Sequence, residues 1–409
     1  MVAAATGLQF LQAGLMTQAF GAYVAVLSEE RGWSKTALSG AAALQQMEVA
    51  LLGPVLGWLL DRFGPRAFIR GGVVLFGIGL MLLSRVETLP AFYACFVVIA
   101  LGTGFCGFFP LNVAIIHWFE RLRARAISSM SIGLALGGII VPLVAWTMQT
   151  YGWRATAIYS GILAIVLGLP LASVIYNRPE DKGEVADGLS ADSSPQEKKS
   201  ETLEKPKDNT RDFTAREALR TQAFWLIALG HGFALFVVHA VVVHAIAHLK
   251  EGLGYSIEQA ALVITLVTLS QLGGVGVGWA IGDRYDKRFI AAACMIMHMT
   301  GLLLLTYATH PAMVIGFAVL HGVAWGLRGP FMQAIRADYF GRSAIGMILG
   351  LSFLVIMVGQ IGGPMIAGLL ADATGNYRVG FTVLALLAGV GSAFFLAARR
   401  PARPLLTQA

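Results

Sequence analysis

The sequence predicts an all-α membrane protein with 12 transmembrane helices, arranged as two six-helix pseudo-symmetric bundles around a central cavity. Three observations predict this fold. Hydrophobic residues make up 56% of the 409 residues and charged residues only 13%, which excludes a soluble globular protein. Twelve apolar runs are long enough to cross a bilayer, and a pattern in the first half of the chain returns in the second half.

The apolar runs form two sets of six. A run of about 20 apolar residues spans the hydrocarbon core of a bilayer, which is about 30 Å thick. In chain order, the first set covers residues 6–27, 36–60, 68–83, 89–119, 126–150 and 156–176. The second set covers residues 224–249, 257–281, 289–308, 312–335, 345–371 and 379–398. The runs keep no strict alternation and contain many glycines, which favours helices over barrel strands.

The repeated pattern lies at the end of the second and eighth runs. Residues 57–66 match residues 278–288 with one residue inserted, so Asp61 corresponds to Asp283 at an offset of 222 residues. The other matching pairs are Arg62 and Arg284, Gly104 and Gly326, Gly107 and Gly329, and Pro142 and Pro364. Two repeated halves packed about a central pathway are the usual build of a secondary transporter.

The composition changes between the two sets of runs. Residues 177–220 are rich in Glu, Asp, Lys, Ser and Pro and bury too little apolar surface to offset their ordering entropy. The segment is predicted to be a tether, with a regulatory phosphorylation segment as the alternative. The expected organisation is an N-terminal six-helix bundle (1–176), a polar cytoplasmic linker (177–220), a C-terminal six-helix bundle (221–400) and a cytoplasmic tail (401–409).

Basic residues concentrate in the short loops on one side of the predicted membrane. They are Arg62, Arg66, Arg70, Arg121, Arg123, Arg125, Arg284, Lys287, Arg288, Arg399, Arg400 and Arg403. The positive-inside rule predicts that this side is cytoplasmic and that both termini lie there. The protein is expected to cross the cell (inner) membrane several times. This placement relates the net charge of +7 to the topology of the protein in the lipid bilayer, so the charge does not indicate nucleic-acid binding.

Several chemical classes are disfavoured. The three cysteines lie within apolar runs and suggest neither a disulfide framework nor a metal cluster. The sequence contains no Gly-rich phosphate loop, convincing nucleophile and base pair or zinc ligand set, so we predict neither an enzyme nor a cofactor. The first run has no basic region or cleavage-like site before it and is expected to be a retained helix.

The repeated loops carry a candidate conformational latch, formed by Asp61, Arg62, Arg66, Asp283 and Arg284. A carboxylate beside guanidinium groups at a helix end can hold neighbouring helix ends together through charge-assisted hydrogen bonds. The recurrence of the acid in both halves favours a latch over a simple topology anchor.

Arg328 is the strongest candidate for substrate binding. It lies inside an apolar run, where an arginine costs about 2.5 to 3.5 kcal/mol and should meet an anion or a carboxylate. His321, Trp325 and Arg328 recur at i, i+4 and i+7 and so share one helical face. The guanidinium could grip a carboxylate while Trp325 packs on its carbon skeleton; the alternative is an Arg328 bridge to Glu48.

Other membrane-depth polar residues are candidates for proton coupling or substrate contact. Glu48 could carry a proton or act as the counter-ion of Arg328. Among four histidines of the seventh run, His239 and His244 are candidate proton carriers, although a structural role is favoured for any single one. Gln271 and Gln360 are weaker candidates for the substrate cavity. A metal site at His244 and His248 is disfavoured because no further ligand is suitably spaced.

The loops resemble those of the major facilitator superfamily. Within it, residues 32–34, 53–57, 61–66 and 118–126 resemble the bacterial monocarboxylate porter and oxalate/formate antiporter branch. Two patterns of that branch are missing: the acidic, glycine-rich opening of the first span found in animal members, and an intramembrane arginine in the eighth span.

The residues and the resemblance together predict a secondary active transporter. Its expected substrate is a small organic anion, a mono- or dicarboxylate, moved across the plasma membrane by alternating access, with protons as an optional coupling partner. One alternative is an exporter of hydrophobic or cationic drugs, in which Glu48 dominates. The other is a non-transporting membrane receptor or scaffold on the same fold, in which the linker is the working part.

Overall fold

The computed structural model describes residues 1–33, 35–188 and 210–405. In this part of the chain the regular structure is helical, with one isolated antiparallel bridge between Thr210 and Leu405. The first half contains α1 (Val2–Arg31), α2 (Lys35–Phe63), α3 (Pro65–Leu83), α4 (Leu89–Trp118), α5 (123–151) and α6 (153–173). The second half contains α7 (Gln222–Gly252), α8 (Ile257–Ile281), α9 (Lys287–Thr306), α10 (Pro311–Phe340), α11 (Ile345–Thr374) and α12 (Arg378–Ala397).

The predicted number of membrane spans is confirmed. Ten helical segments in the described ranges are long and apolar enough to cross a membrane. One of them, Arg123–Ser173, has 51 residues and turns at Gly152 (φ +83°), which divides it into α5 and α6. Adding this division and α2, a helix of 29 residues that packs on α11, gives 10 + 1 + 1 = 12 long helices, the number predicted.

Local sequence signals set several helix boundaries. Thr221 accepts a hydrogen bond from the backbone N–H of Phe224 at the start of α7. Ser256 and Gln259 form a reciprocal capping box at the start of α8. α11 ends at Gly375, whose φ of +76° favours glycine because a side chain would be strained there.

Each bundle is held by close helix packing. In the first bundle α1 packs on α5, and α3 packs on α4 and on the α5–α6 run. In the second bundle α8 packs on α10, α7 on α11, and α9 on both α10 and α12. Small residues permit these approaches, since a methyl group added at Gly326 would collide with the backbone of Gln271.

The two bundles meet chiefly along α2 with α11 and along α5 with α8. We call the side that carries the loops 64, 119–122, 282–286 and 341–344 the basic face. Gly53 and Gly57 of α2 approach Gly350 and Gly346 of α11 near this face, and Gly282 approaches Arg125. The structure is therefore closed at the basic face.

The described ends of the predicted linker pack on this basic face. After α6 the chain is described to residue 188, and it resumes at residue 210 before a short helix, Ala215–Leu219, that precedes α7. Residues 189–209 of the predicted tether (177–220) and the tail residues 406–409 lie outside the described residues.

Candidate functional site

A cavity of about 250 Å³ lies about half-way along the helices of the first bundle. Its polar lining comes from α1, α2 and α4, through Gln9, Gln12, Gln45, Glu48 and Thr103. Four phenylalanines supply most of its aromatic surface: Phe105, Phe108, Phe109 and Phe353. Phe353 comes from α11 of the second bundle, so the cavity lies at the junction between the bundles.

Hydrogen bonds fix part of the polar lining and leave two groups free. Gln12 Nε2 donates to the carbonyl oxygen of Thr103 at 3.0 Å, and Gln45 Nε2 donates to Thr103 Oγ1 at 3.1 Å. Gln9 Nε2 and Glu48 Oε2 are buried without a partner. A buried donor or acceptor without a partner costs about 1–3 kcal/mol, so these two atoms are available to a ligand. The sequence indicated Glu48 and places Gln45 three residues before it on about the same helical face, whereas Thr103 is recognised only from its contact with Gln45.

Arg328 lies in the interior of the second bundle. Its side chain is 1% exposed, and its Nε and Nη1 atoms have no hydrogen-bond partner. The titratable residues near it are Cys294, His231, His239, His298 and His321, none of which carries a carboxyl group.

The predicted alternative partner of Arg328 does not reach it. Among the described residues, Glu48 and Arg328 form no ion pair, and Glu48 lines the cavity of the first bundle. In the sequence, each Asp and Glu of the second half lies at a helix end or in a loop: Glu251, Glu258, Asp283, Asp286, Asp338 and Asp372. Arg328 is therefore a buried cation that the second bundle leaves without a carboxylate.

The other two residues of the predicted α10 face point to different neighbours. His321 is fully buried, and its Nδ1 lies 3.1 Å from Nδ1 of His298 on α9. Trp325 is half-buried and packs against the apolar cluster of Leu235, Val238 and Ile356, which Phe353 also contacts. The Phe353 ring lines the cavity and lies 5.4 Å from the ring of Phe109, centroid to centroid. Trp325 is thus the member of the α10 face that shares an apolar cluster with a residue of the cavity.

Arg336 is a second buried arginine on α10, which the sequence analysis missed. Its guanidinium donates to Ser352 Oγ at 3.1 Å and to the carbonyl oxygen of Met332 at 2.6 Å, and it lies 3.4 Å from His231 Nδ1. Its position eight residues after Arg328, about two turns along the same side, was the available signal. The predicted apolar run ends at Ile335, one residue before Arg336.

The remaining candidates of the second bundle do not line the cavity. His244 Nε2 lies 3.0 Å from the carbonyl oxygen of Pro364, and His239 Nδ1 lies 3.2 Å from that of Leu235. Gln271 and Gln360 are half-buried on α8 and α11. No group of three or more His, Cys, Asp or Glu residues that could hold a metal occurs in the described ranges.

The two repeated aspartates reach across the basic face to the opposite bundle. Asp61 of α2 accepts hydrogen bonds from the backbone N–H groups of Gly346 and Met347, at 2.7 and 2.8 Å, in the first turn of α11. Asp283, just after α8, accepts from the N–H of Ala124 in the first turn of α5 at 3.0 Å. Negative charge is favourable at a helix N-terminus, so each aspartate stabilises the closed basic face.

The arginines of the predicted latch have other neighbours. The Arg62 guanidinium lies over the rings of Trp58 and Phe63, at 5.4 and 5.6 Å, and that of Arg66 over Tyr176 at 4.0 Å. Arg284 lines a shallow surface pocket beside Asp283. In the described ranges two ion pairs join the bundles directly. Arg123 of α5 pairs with Asp338 of α10, which also contacts Lys287, and Arg342 lies 3.9 Å from Glu120.

The described ends of the linker bind repeat-related loops. Asp187 accepts hydrogen bonds from the backbone N–H groups of Glu120, Arg121 and Leu122. Asp212 accepts from the backbone N–H groups of Arg342 and Ser343 and from the Ser343 hydroxyl. Partial burial raises the pKa of Asp212, but these hydrogen bonds outweigh it and lower that pKa below its usual range.

Comparison with known proteins places the chain among membrane transporters. The profile of the Major Facilitator Superfamily matches residues 6–279 and 231–409. Monocarboxylate transporter 13 of Bos taurus is 28% identical, over 83% of this chain and 75% of that protein. The fujikurins efflux protein of Gibberella fujikuroi is 26% identical, over 85% and 70%, and the oxalate:formate antiporter of Oxalobacter formigenes is 24% identical, over 78% and 72%.

Solved structures give the same fold. The transporter FucP in its outward conformation matches with a TM-score of 0.74 at 14% identity, over 98% of this chain and 99% of that chain. The predicted fold class is confirmed, as is the resemblance to the monocarboxylate porter and oxalate/formate antiporter branch.

Proposed function

Because the chain belongs to the major facilitator superfamily, a family of membrane transporters, we propose that it moves small organic anions across the plasma membrane by alternating access. Mono- and dicarboxylates are the proposed substrates. Two of the relatives carry monocarboxylate or oxalate and formate in their names, and a third, from Bacillus subtilis, is named as a glycerol-3-phosphate transporter. All these named substrates are small and carry at least one anionic group.

The observation that carries this proposal is the unpaired state of Arg328. Burying a charge without a partner is costly, and intramembrane charges are retained where they meet a substrate or a counter-charge. The second bundle supplies no carboxylate at this depth, so a substrate carboxylate is the natural partner. A guanidinium donates N–H groups to a carboxylate, and the Nε and Nη1 atoms of Arg328 have no other partner.

The transport cycle follows from the way the bundles meet. In the structure, Trp325 and Phe353 pack against one apolar cluster, Phe353 lines the cavity, and the basic face is closed. Rocking of the bundles would separate these aromatic side chains and bring the guanidinium to the central pathway. Trp325 would then pack on the carbon skeleton of the bound anion.

Proton coupling is assigned to Glu48. It is the one acidic residue of the sequence that lies mid-way along a predicted span, and its Oε2 atom faces no hydrogen-bond donor. His239 and His244 remain the alternative carriers, although a backbone carbonyl lies close to each ring. If neither group carries a proton, Arg328 alone would support anion exchange.

The orientation follows from the loop charges. The basic face carries the clustered arginines, so the positive-inside rule makes it cytoplasmic, with both termini on that side. The structure then corresponds to a state closed to the cytoplasm.

Export of hydrophobic or cationic compounds is the second candidate function. The observation that favours it is the cavity itself, which combines four phenylalanines with the Glu48 carboxylate. Aromatic faces and a carboxylate attract organic cations. One of the relatives is named as an efflux protein.

Uptake into proteoliposomes distinguishes the two functions. Labelled mono- and dicarboxylates are offered to the native protein and to Arg328→Gln, with and without an inward proton gradient, and Arg378→Gln serves as an exposed control. We expect saturable carboxylate uptake that is lost in Arg328→Gln and retained in Arg378→Gln. Absence of carboxylate uptake by the native protein, together with transport of an organic cation that depends on Glu48, would establish the second function instead.

A further inference from the structure

A second, basic pocket lies far from the transport cavity, at the basic face of the second bundle. Its volume is about 490 Å³. It lies between the start of α9, the end of α10 and the residues that follow α12. Four cations line it: Lys287, Arg288, Arg399 and Arg400.

Two of the four cations are neutralised within the protein. Lys287 contacts Asp283 at 3.1 Å and Asp338 at 2.7 Å, and Arg288 contacts Asp286 at 2.8 Å. Partial burial raises the pKa of Asp286, but hydrogen bonds from the side chain and backbone of Arg288 outweigh it and lower that pKa. Asp286 therefore stays charged near neutral pH and offsets Arg288.

The other two cations have no acidic partner. Arg399 and Arg400 are exposed, and within the described ranges neither forms an ion pair or a side-chain hydrogen bond. Counting all the charged groups that line the pocket, four cations and the two acids Asp286 and Asp338, leaves 4 − 2 = 2 positive charges. The pocket thus presents an uncompensated pair of guanidinium groups.

The surface beside the pocket is apolar and exposed. Phe289, on the first turn of α9, is 59% exposed, and Tyr285, in the loop before it, is 63% exposed. Further along α9, Ile296 is also exposed. On the neighbouring α12 the exposed apolar residues are Leu386, Val390 and Leu396. In a membrane-spanning bundle such surfaces face acyl chains, and aromatic rings collect where the acyl region meets the head groups. The pocket therefore lies at the level of the phospholipid head groups.

We propose that this pocket binds the phosphate head group of an anionic phospholipid, with Arg399 and Arg400 as the phosphate ligands. Guanidinium groups bind phosphate through parallel hydrogen bonds, and basic pockets at the ends of transmembrane helices suit anionic head groups. The adjoining apolar surface of α9 and α12 would hold the acyl chains, which a free phosphate lacks. The site does not depend on the identity of the transported substrate.

Native mass spectrometry of the purified full-length chain in detergent tests the proposal. The protein is titrated with cardiolipin, phosphatidylglycerol and phosphatidylcholine, and inorganic phosphate is added as a competitor. The test variant is Arg399→Gln/Arg400→Gln. The control is Arg216→Gln/Arg220→Gln, which removes the same charge from exposed positions of the short helix before α7 and the residue after it.

We expect the native chain to prefer the two anionic lipids and the test variant to bind them about thirtyfold more weakly, since each basic residue near a membrane surface contributes about a factor of five. The control variant should bind as the native chain does. The proposal would be overturned if both variants bound the anionic lipids equally weakly, or if the native chain showed no preference for these lipids over phosphatidylcholine. Displacement of the lipid by millimolar phosphate would show that the pocket recognises a phosphate group without acyl chains, which would overturn a dedicated lipid site.

Discussion

Asp61 and Asp283, which are separated by the repeat offset of 222 residues, both accept hydrogen bonds from the first turn of a helix in the opposite bundle. Asp61 binds the start of α11, and Asp283 binds the start of α5. The two contacts lie on the same face, and each joins one bundle to the other there. The repeat in the sequence thus corresponds to a repeated contact between the bundles.

Asp61→Asn is expected to weaken the closure of the basic face. Asparagine keeps the shape of the side chain but removes the charge, and one of the two backbone N–H groups of α11 then faces an amide instead of a carboxylate oxygen. Hydrogen bonds to charged groups contribute about 1.5–3 kcal/mol, so the ratio of closed to open molecules should fall about tenfold or more. Double electron–electron resonance between spin labels at Arg121→Cys and Arg399→Cys measures this ratio. The native cysteines are buried, so the labels attach to the introduced ones.

The matched control for this measurement is Asp372→Asn, an exposed acid near the other end of α11. It should leave the distance distribution unchanged. A distribution for Asp61→Asn that coincides with that of the control would show that Asp61 only anchors the topology.

Gly57→Ala should open the same face by a steric route. A methyl group on Gly57 would collide with the backbone of Gly346 on α11, and backbone atoms cannot move aside as a flexible side chain can. Gly71→Ala on α3 is the control, because nothing lies within 4 Å of its added methyl group. We expect the spin-label distances across the basic face to lengthen in Gly57→Ala alone. Unchanged distances would mean that α2 and α11 can accommodate the methyl group while the face stays closed.

The two buried arginines of α10 should respond in opposite ways to replacement by methionine. Arg328 has unpaired Nε and Nη1 atoms, so Arg328→Met removes an uncompensated charge and should raise the free energy of unfolding of the ligand-free protein by about 1–3 kcal/mol. Arg336 donates to Ser352 and Met332, so Arg336→Met should lower it by a similar amount. Chemical unfolding in detergent measures both. Destabilisation by Arg328→Met would reveal an internal partner and remove the main support for anion binding.

Much of the fold could be predicted because its signals are local. Apolar run length fixed the helices, and the Asp61 and Asp283 repeat indicated the pseudo-symmetry that the two bundles display. The predicted runs 126–150 and 156–176 separate at the boundary between α5 and α6. There the positive φ of Gly152 turns a helical run of 51 residues.

The site was predicted less completely, because it depends on which helix faces meet. Arg328 and Glu48 were recognised from the cost of burying a charge, but their distance from each other depends on packing between bundles. The pair of His298 and His321 joins α9 to α10, and no spacing along one helix reveals it. In the same way, the Gln45 contact with Thr103 links α2 to α4. Side-chain partners of this kind follow from tertiary packing and not from periodicity.

Glu48→Gln should separate anion binding from proton coupling. Glutamine is nearly isosteric and keeps the polar lining of the cavity, but it cannot release a proton at physiological pH. If Glu48 carries the coupled proton, the variant will still exchange labelled for unlabelled carboxylate across the membrane. It will fail to accumulate carboxylate when an inward proton gradient is applied, because the carrier can no longer change its charge during the cycle.

Two comparisons make this result specific to Glu48. Gln45→Glu/Glu48→Gln moves the carboxyl group by about one helical turn along the same cavity wall, and recovery of gradient-driven uptake there would show that a titratable group is needed and not the residue itself. His310→Gln, at the start of α10 and outside the cavity, should retain both exchange and accumulation. Gradient-driven accumulation that persists in Glu48→Gln would assign the proton to another group, and His239→Gln and His244→Gln would then be measured in the same assay.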